Sequence, residues 1–172
     1  MLKITGVILC VAGFTGYGIL KIASWNKAMI ELEQWILLFE KMKSHIYYRR
    51  DIIADIFCKM DEGIYGIGGR YVATVGNDMR ADRAKSLISV WEERMSQWEC
   101  LSSLPVTVKK MILSFPEYVG EQDCEQQIKH LDFYLHRLET EREKMEKEMN
   151  SKKKPVMAIS LVCGITISIL LL

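Results

Sequence analysis

Charge of one sign is what this chain most obviously lacks: 23 lysines and arginines against 22 acids leave a net charge of +1. That balance excludes electrostatic capture of nucleic acid, which needs a strongly basic surface. No Cys-x-x-Cys pair occurs. Cys10, Cys58, Cys100, Cys124 and Cys163 are scattered, two of them inside uncharged runs, and they read as reduced thiols of a reducing compartment. Histidine is scarce. His45, His130 and His136 form no HExxH and no Cys/His metal spacing, and His130 and His136, six apart, face different ways on a helix. There is no GxSxG and no defensible Ser/His/Asp set. The glycines of GIYGIGGR (Gly63, Gly66, Gly68, Gly69) come without the lysine and hydroxyl residue of a phosphate-binding loop and without a preceding strand, so the stretch reads as a turn. The chain is therefore expected not to be an enzyme, and to use no cofactor, metal or small-molecule substrate. Period-two alternation never persists for more than a few residues, which argues against a strand-rich fold.

Two long stretches lack charge altogether: Ile4–Leu20 (ITGVILCVAGFTGYGIL) and 155–172 (PVMAISLVCGITISILLL). Each approaches the roughly 20 apolar residues that cross a bilayer core as a helix. The first is expected to be a retained membrane helix rather than a cleaved signal, because its n-region is only Met1-Leu2-Lys3 and KIASWNK offers no small-x-small cleavage site. Lys21 and Lys27 follow the first run, and Lys147 and Lys152–Lys154 precede the second. By the positive-inside tendency, the middle of the chain is expected in the cytoplasm, with both termini on the extracytoplasmic side. Ser160, Gly164 and Ser168, four apart, offer a small-residue face for close helix contact, and Ala12 with Gly16 a weaker one.

The middle reads as helices. Trp25, Met29, Leu32, Ile36, Phe39, Lys43 and Ile46 recur at alternating spacings of four and three, a single stripe on a long helix. Asp51 is placed to cap a following helix over IIADIFCKM. A short helix is expected at Tyr71–Val75 and another from about Asp82 to Glu99, with Ala84, Leu87, Ile88, Trp91, Met95 and Trp98 on one face. Leu104-Pro105 marks a further start and Pro116 a break. Acidic pairs such as Glu92-Glu93 read as solvated helix faces. The tryptophans, Trp25, Trp35, Trp91 and Trp98, are candidates for core or membrane interface.

The strongest pattern follows. Cys124, Ile128, Leu131, Leu135, Leu138, Arg142, Met145 and Met149 form a heptad seam broken only by Arg142. A helix from Asp123 to Asn150 would be roughly 40 Å long. It is expected to run antiparallel to the helix that follows the first apolar run. Gly120 suits a helix end and Asp123 an N-cap, so the junction Gly120, Asp123, Glu125, Gln127 is a structural element, or a partner-binding one. The expected class is all-α: an N-terminal transmembrane helix (1–23), a cytoplasmic helical bundle with long antiparallel helices (24–154), and a C-terminal transmembrane helix (155–172).

LPVTVKKMILSFPEYVGEQDCEQQIKHLDFYLHRLETEREKMEKE, with the basic cluster and apolar helix behind it, resembles the stage III sporulation protein AB family. That family carries an LG-x-x-D junction before a long charged helix. Here Val119 replaces the leucine, whereas Gly120, Asp123, Glu125 and Gln127 match. MLKITGVILCVAGFTGYG and the helix containing IELEQWILLFEKMKSHIYYRRDI are also similar, and Pro116 departs from the family pattern. The resemblance implies an assembly or platform subunit in the mother-cell membrane, part of a channel complex linking mother cell and forespore during endospore formation. It implies other stage III sporulation A-operon proteins as partners, among them the secretion-type ATPase, together with membrane lipid. The alternative is a general inner-membrane scaffold of a type II secretion or pilus-like machine.

Overall fold

The computed structural model describes residues 2–49, 52–60, 62–82, 85–119 and 124–171, with side chains except those of 2–5, 7–10, 49, 62, 124, 168, 170 and 171. The described residues are almost entirely helical, without a strand: α1 (Leu2–Arg49), α2 (Ile53–Phe57), α3 (Glu62–Ala81), α4 (Leu87–Leu101), α5 (Val106–Leu113), a 3-10 turn (Phe115–Tyr118) and α6 (Cys124–Leu171). The chain divides into two compact units, one of residues 1–27 with 144–172 and one of residues 28–143. Each long helix contributes to both.

In the larger unit, α1 and α6 run antiparallel, as the seams predict. Glu33 faces Arg142, Phe39 faces Tyr134 and Lys43 faces Asp132, so α6 descends as α1 ascends. The buried face of α1 is wider than the predicted stripe. Ala28, Trp35, Leu38 and Met42 join Leu32, Ile36, Phe39 and Ile46 in the core. The reason is that α1 is sandwiched: its rings meet α6 on one side and α4 on the other. Trp35 packs edge-on to Trp98 at 5.1 Å, and Phe39 touches Phe115 at 4.6 Å and Tyr134 at 5.0 Å. Trp91 completes the cluster, 5.2 Å from Phe115. Large buried rings of this kind contribute about 3–5 kcal/mol each against truncation to alanine. The indole N–H groups of Trp35, Trp91 and Trp98 are buried without a hydrogen-bond partner, a penalty that this burial outweighs. Tyr134 is better served: its hydroxyl donates to the Met111 carbonyl at 3.0 Å, and burial holds the phenol well above its ordinary pKa.

The glycine-rich stretch bears out the expected turn in part: within α3 two helical segments meet at a kink at Gly66 (φ 60°, ψ −154°), and the second continues well beyond Val75 to Ala81. Gly66 and Gly68 mark close packing. A Cβ on Gly68 would lie 2.6 Å from the Trp35 indole, so the helix lies flat on that ring. Polar clamps tie the short helices together: Arg80 to Asp55 at 2.6 Å (α3 to α2) and Arg94 to Asp78 at 2.6 Å (α4 to α3). In each pair the hydrogen bond to the carboxylate raises the guanidinium pKa.

α4 starts later than its periodicity suggests, at Leu87. Ser86 is its N-cap, with Oγ accepting from the Ser89 N–H at 3.2 Å, and Ile88, expected on the core face, is exposed. Ala84 and the expected cap Asp51 lie outside the described residues. α2 is confined to a single short stretch, with Cys58 already at its C-cap. Pro105 is the N-cap of α5 rather than its first residue. Pro116 lies just past the end of α5 at Leu113, second in the 3-10 turn that begins at Phe115, where a residue without an N–H is readily accommodated. Glu31, buried on α1, accepts from the Ser103 N–H at 2.9 Å and so pins the α4–α5 linker.

In the smaller unit, α1 and α6 are again antiparallel and touch through small residues. Gly18 sits against Ser160 and Met157, and Gly164 against Val11 and Phe14. The α1 face is thus 11, 14, 18, a 3–4 helical spacing. Ser160 and Gly164 serve as predicted, whereas the side chain of Ser168 lies outside the described set. Ala12 is exposed and Gly16 has nothing near it, so the expected weaker face on α1 is replaced by the one centred on Gly18. Outward from this contact point Tyr17, Leu20, Ile159, Val162 and Ile169, all well exposed. Among the described residues no helix is long and apolar enough to cross a membrane. Both runs expected to do so extend into residues or side chains outside the described set.

Candidate functional site: the α1–α6 groove

The junction singled out by sequence is only partly visible. Gly120 and Asp123 lie outside the described residues. Glu125 is exposed in the first turn of α6, where a carboxylate complements the positive end of the helix dipole, and Gln127 is half-buried.

A developed concavity lies along the antiparallel pair in the larger unit. Two adjoining pockets of about 670 and 510 Å³ share Glu40 of α1 and Glu139 of α6. The heptad geometry explains the floor. Ile36 and Leu135 are seam residues, nearly buried, and Ile128 lies half-buried toward one end. The walls are the flanking positions, where long polar side chains belong. One end is closed by Tyr47 and Tyr48, whose rings meet edge-to-face at 4.8 Å and remain 59% and 78% exposed.

The charge pattern is specific. Lys43 and Arg142 occupy seam positions, and each reaches across to the opposite helix: Lys43 bonds Asp132, and Arg142 lies 3.6 Å from Glu33. That leaves Glu40, Glu139 and Glu143 as lining carboxylates without a cation partner among the described residues. No group of histidine, cysteine and carboxylate side chains among the described residues is arranged to hold a metal ion. Cys58, Cys100 and Cys163 are free thiols. The groove can therefore bind by charge and apolar contact.

The tyrosines and the three carboxylates were not legible as a site in sequence. Each looks like an ordinary exposed helix residue. The signal that was available is the pair of cations in seam positions, Lys43 and Arg142, which point to polar neighbours across the seam.

The family model described as Stage III sporulation protein AB matches residues 3–172. No curated protein matches the chain. No solved structure matches it either.

Proposed function

The chain belongs to the stage III sporulation protein AB family, with the role in stage III sporulation that this carries, and from that premise we propose that it is a membrane-anchored assembly subunit of the mother-cell channel complex that links mother cell and forespore. In this reading residues 1–23 and 155–172 are the membrane helices. Residues 24–154 form a cytoplasmic helical bundle that docks other A-operon proteins, the secretion-type ATPase among them. Its work is mechanical: it positions partners against the membrane complex.

The observation that carries the reading is the construction of the smaller unit. Small residues at Gly18, Ser160 and Gly164 make the contact, against Met157, Val11 and Phe14, while the large apolar Leu20, Ile159, Val162 and Ile169 face outward. A helix pair in water turns its largest apolar residues inward rather than leaving them exposed. A helix pair in lipid gains nothing by hiding them and packs on small residues instead. The lysines at 21, 27, 147 and 152–154 flank the two uncharged runs on the side of the larger unit, which supports a cytoplasmic placement for it.

Deleting the protein in a spore former tests the role. Forespore development is expected to stall, and normal development would remove the assignment. A reporter fused after Leu172 tests the topology independently. It is expected to be active only outside the cytoplasm, and activity confined to the cytosol would defeat the placement.

A further inference from the structure

We propose that the α1–α6 groove of the larger unit takes a basic amphipathic helix of a partner protein, whose cations meet Glu40, Glu139 and Glu143 and whose apolar stripe covers Leu37 and Ile128. The inference rests on the reading of this chain as an assembly subunit and gives the partner's docking element a chemistry.

The sign of the partner follows from the lining. Five carboxylates and two cations face the two pockets, and both cations are engaged across the seam, Lys43 with Asp132 and Arg142 with Glu33. Three carboxylates are left, two of which line both pockets. Like charges so placed repel one another, and an incoming lysine or arginine relieves that repulsion while gaining its own attraction. A bare divalent cation is the wrong occupant, because the carboxylates do not converge into a ligand set.

The shape selects a helix. The groove follows α1 from Glu33 to Tyr48, roughly 22 Å at the helical rise, or about four turns. The described residues present no strand edge to extend, so a helix laid in the groove is the recognition mode that fits. A third helix seated there would cover the exposed Leu37 and the half-buried Ile128, above a floor that Ile36 and Leu135 already close. Tyr47 and Tyr48 then stand at one end, as aromatic surface for the partner's arginine or for its last apolar residue.

The test uses the full chain in nanodiscs of zwitterionic lipid. The probe is a fluorescent peptide of about three heptads, leucine at the seam positions and lysine or arginine elsewhere. Its counterpart carries glutamate in place of the cations. Saturable binding of the basic peptide is expected, weakening as salt is raised. In E40Q/E139Q/E143Q the affinity is expected to fall by about tenfold or more, since three charge-assisted contacts are removed. All three side chains are exposed, so the helical circular dichroism of this variant should match the parent's.

Equal binding of the acidic peptide, or undiminished binding to the triple variant, would overturn the proposal. So would self-association of the parent chain that the triple variant abolishes, because the occupant would then be a second copy. Failure of peptide binding alongside a sporulation defect on deletion removes only the groove inference. Normal sporulation on deletion removes the assembly reading instead, whatever the peptide does.

Discussion

Arg142 and Glu33 lie 3.6 Å apart across the antiparallel α1–α6 pair, and they account for the one break in the longest heptad seam of the chain. The guanidinium sits where leucine would continue the apolar row, and it reaches sideways to a carboxylate on the opposite helix. Both side chains are substantially exposed, at 36% and 53%. A pair this wet contributes only about 0–1 kcal/mol. R142L is therefore expected to leave thermal unfolding unchanged, or to raise stability by up to about 1 kcal/mol through seam burial. Followed by circular dichroism on the full chain in detergent, a loss above about 2 kcal/mol would show that the ion pair itself sets the register.

Much of this arrangement was legible in sequence because heptads are redundant. Leu131, Leu135 and Leu138 each repeat the same message, and the antiparallel pairing follows from two seams of similar length. Tyr134 was missed because it falls just off the strict seam. It is buried by Phe39, Phe115 and Tyr118, which no local spacing reveals. Trp35 lay outside the stripe for the same reason, since a helix sandwiched between two neighbours has a wider apolar face than one with a single partner. The glycine cluster was legible in part: Gly66 does break the helix, while Gly68 lies within it. Composition alone does not separate a glycine that turns the chain from one, such as Gly68, that admits a tryptophan against a helix. The groove was the least legible feature, because exposed glutamates acquire meaning only once α6 is laid beside α1.

Gly66 is where α3 departs from helix, in a backbone region open essentially to glycine alone. A Cβ there would lie 2.1 Å from the Gln34 carboxamide oxygen. G66A is expected to cost about 1–3 kcal/mol from backbone strain, with the clash adding to it. Adding Q34A should recover only the clash. Full recovery in the double variant, measured by thermal denaturation, would show that the backbone relaxes freely into a continuous helix.

Tyr134 gives the fold an alkaline weakness. Its buried phenol stays protonated well above the ordinary range, while the same group in the unfolded chain ionises near pH 10. Above that point the unfolded state has lost a proton that the folded state retains, so stability falls as pH rises. Y134F is expected to cost about 0.5–1.5 kcal/mol at neutral pH, through the lost bond to the Met111 carbonyl. It should also flatten the alkaline decline. A Y134F chain whose stability falls as steeply above pH 10 as the parent's would assign that decline to other groups.

The contact between Gly164 and Phe14 offers a direct check on the smaller unit. A Cβ built on Gly164 would lie 3.5 Å from that of Phe14, within the range that a disulfide spans. In a background without the native cysteines, F14C/G164C is expected to cross-link within one chain on mild oxidation. The product is recognised when a chain cut at an engineered protease site between the two positions stays whole on a non-reducing gel. Y17C/V162C carries its thiols on two exposed positions and serves as the control, expected to give little product. Efficient closure at 14/164 in nanodiscs would mean that the small-residue contact persists in lipid, where packing rather than hydrophobic burial must hold two helices together. Closure only between chains would mean that the small residues mediate association of separate copies, and the antiparallel pairing inside one chain would have to be abandoned.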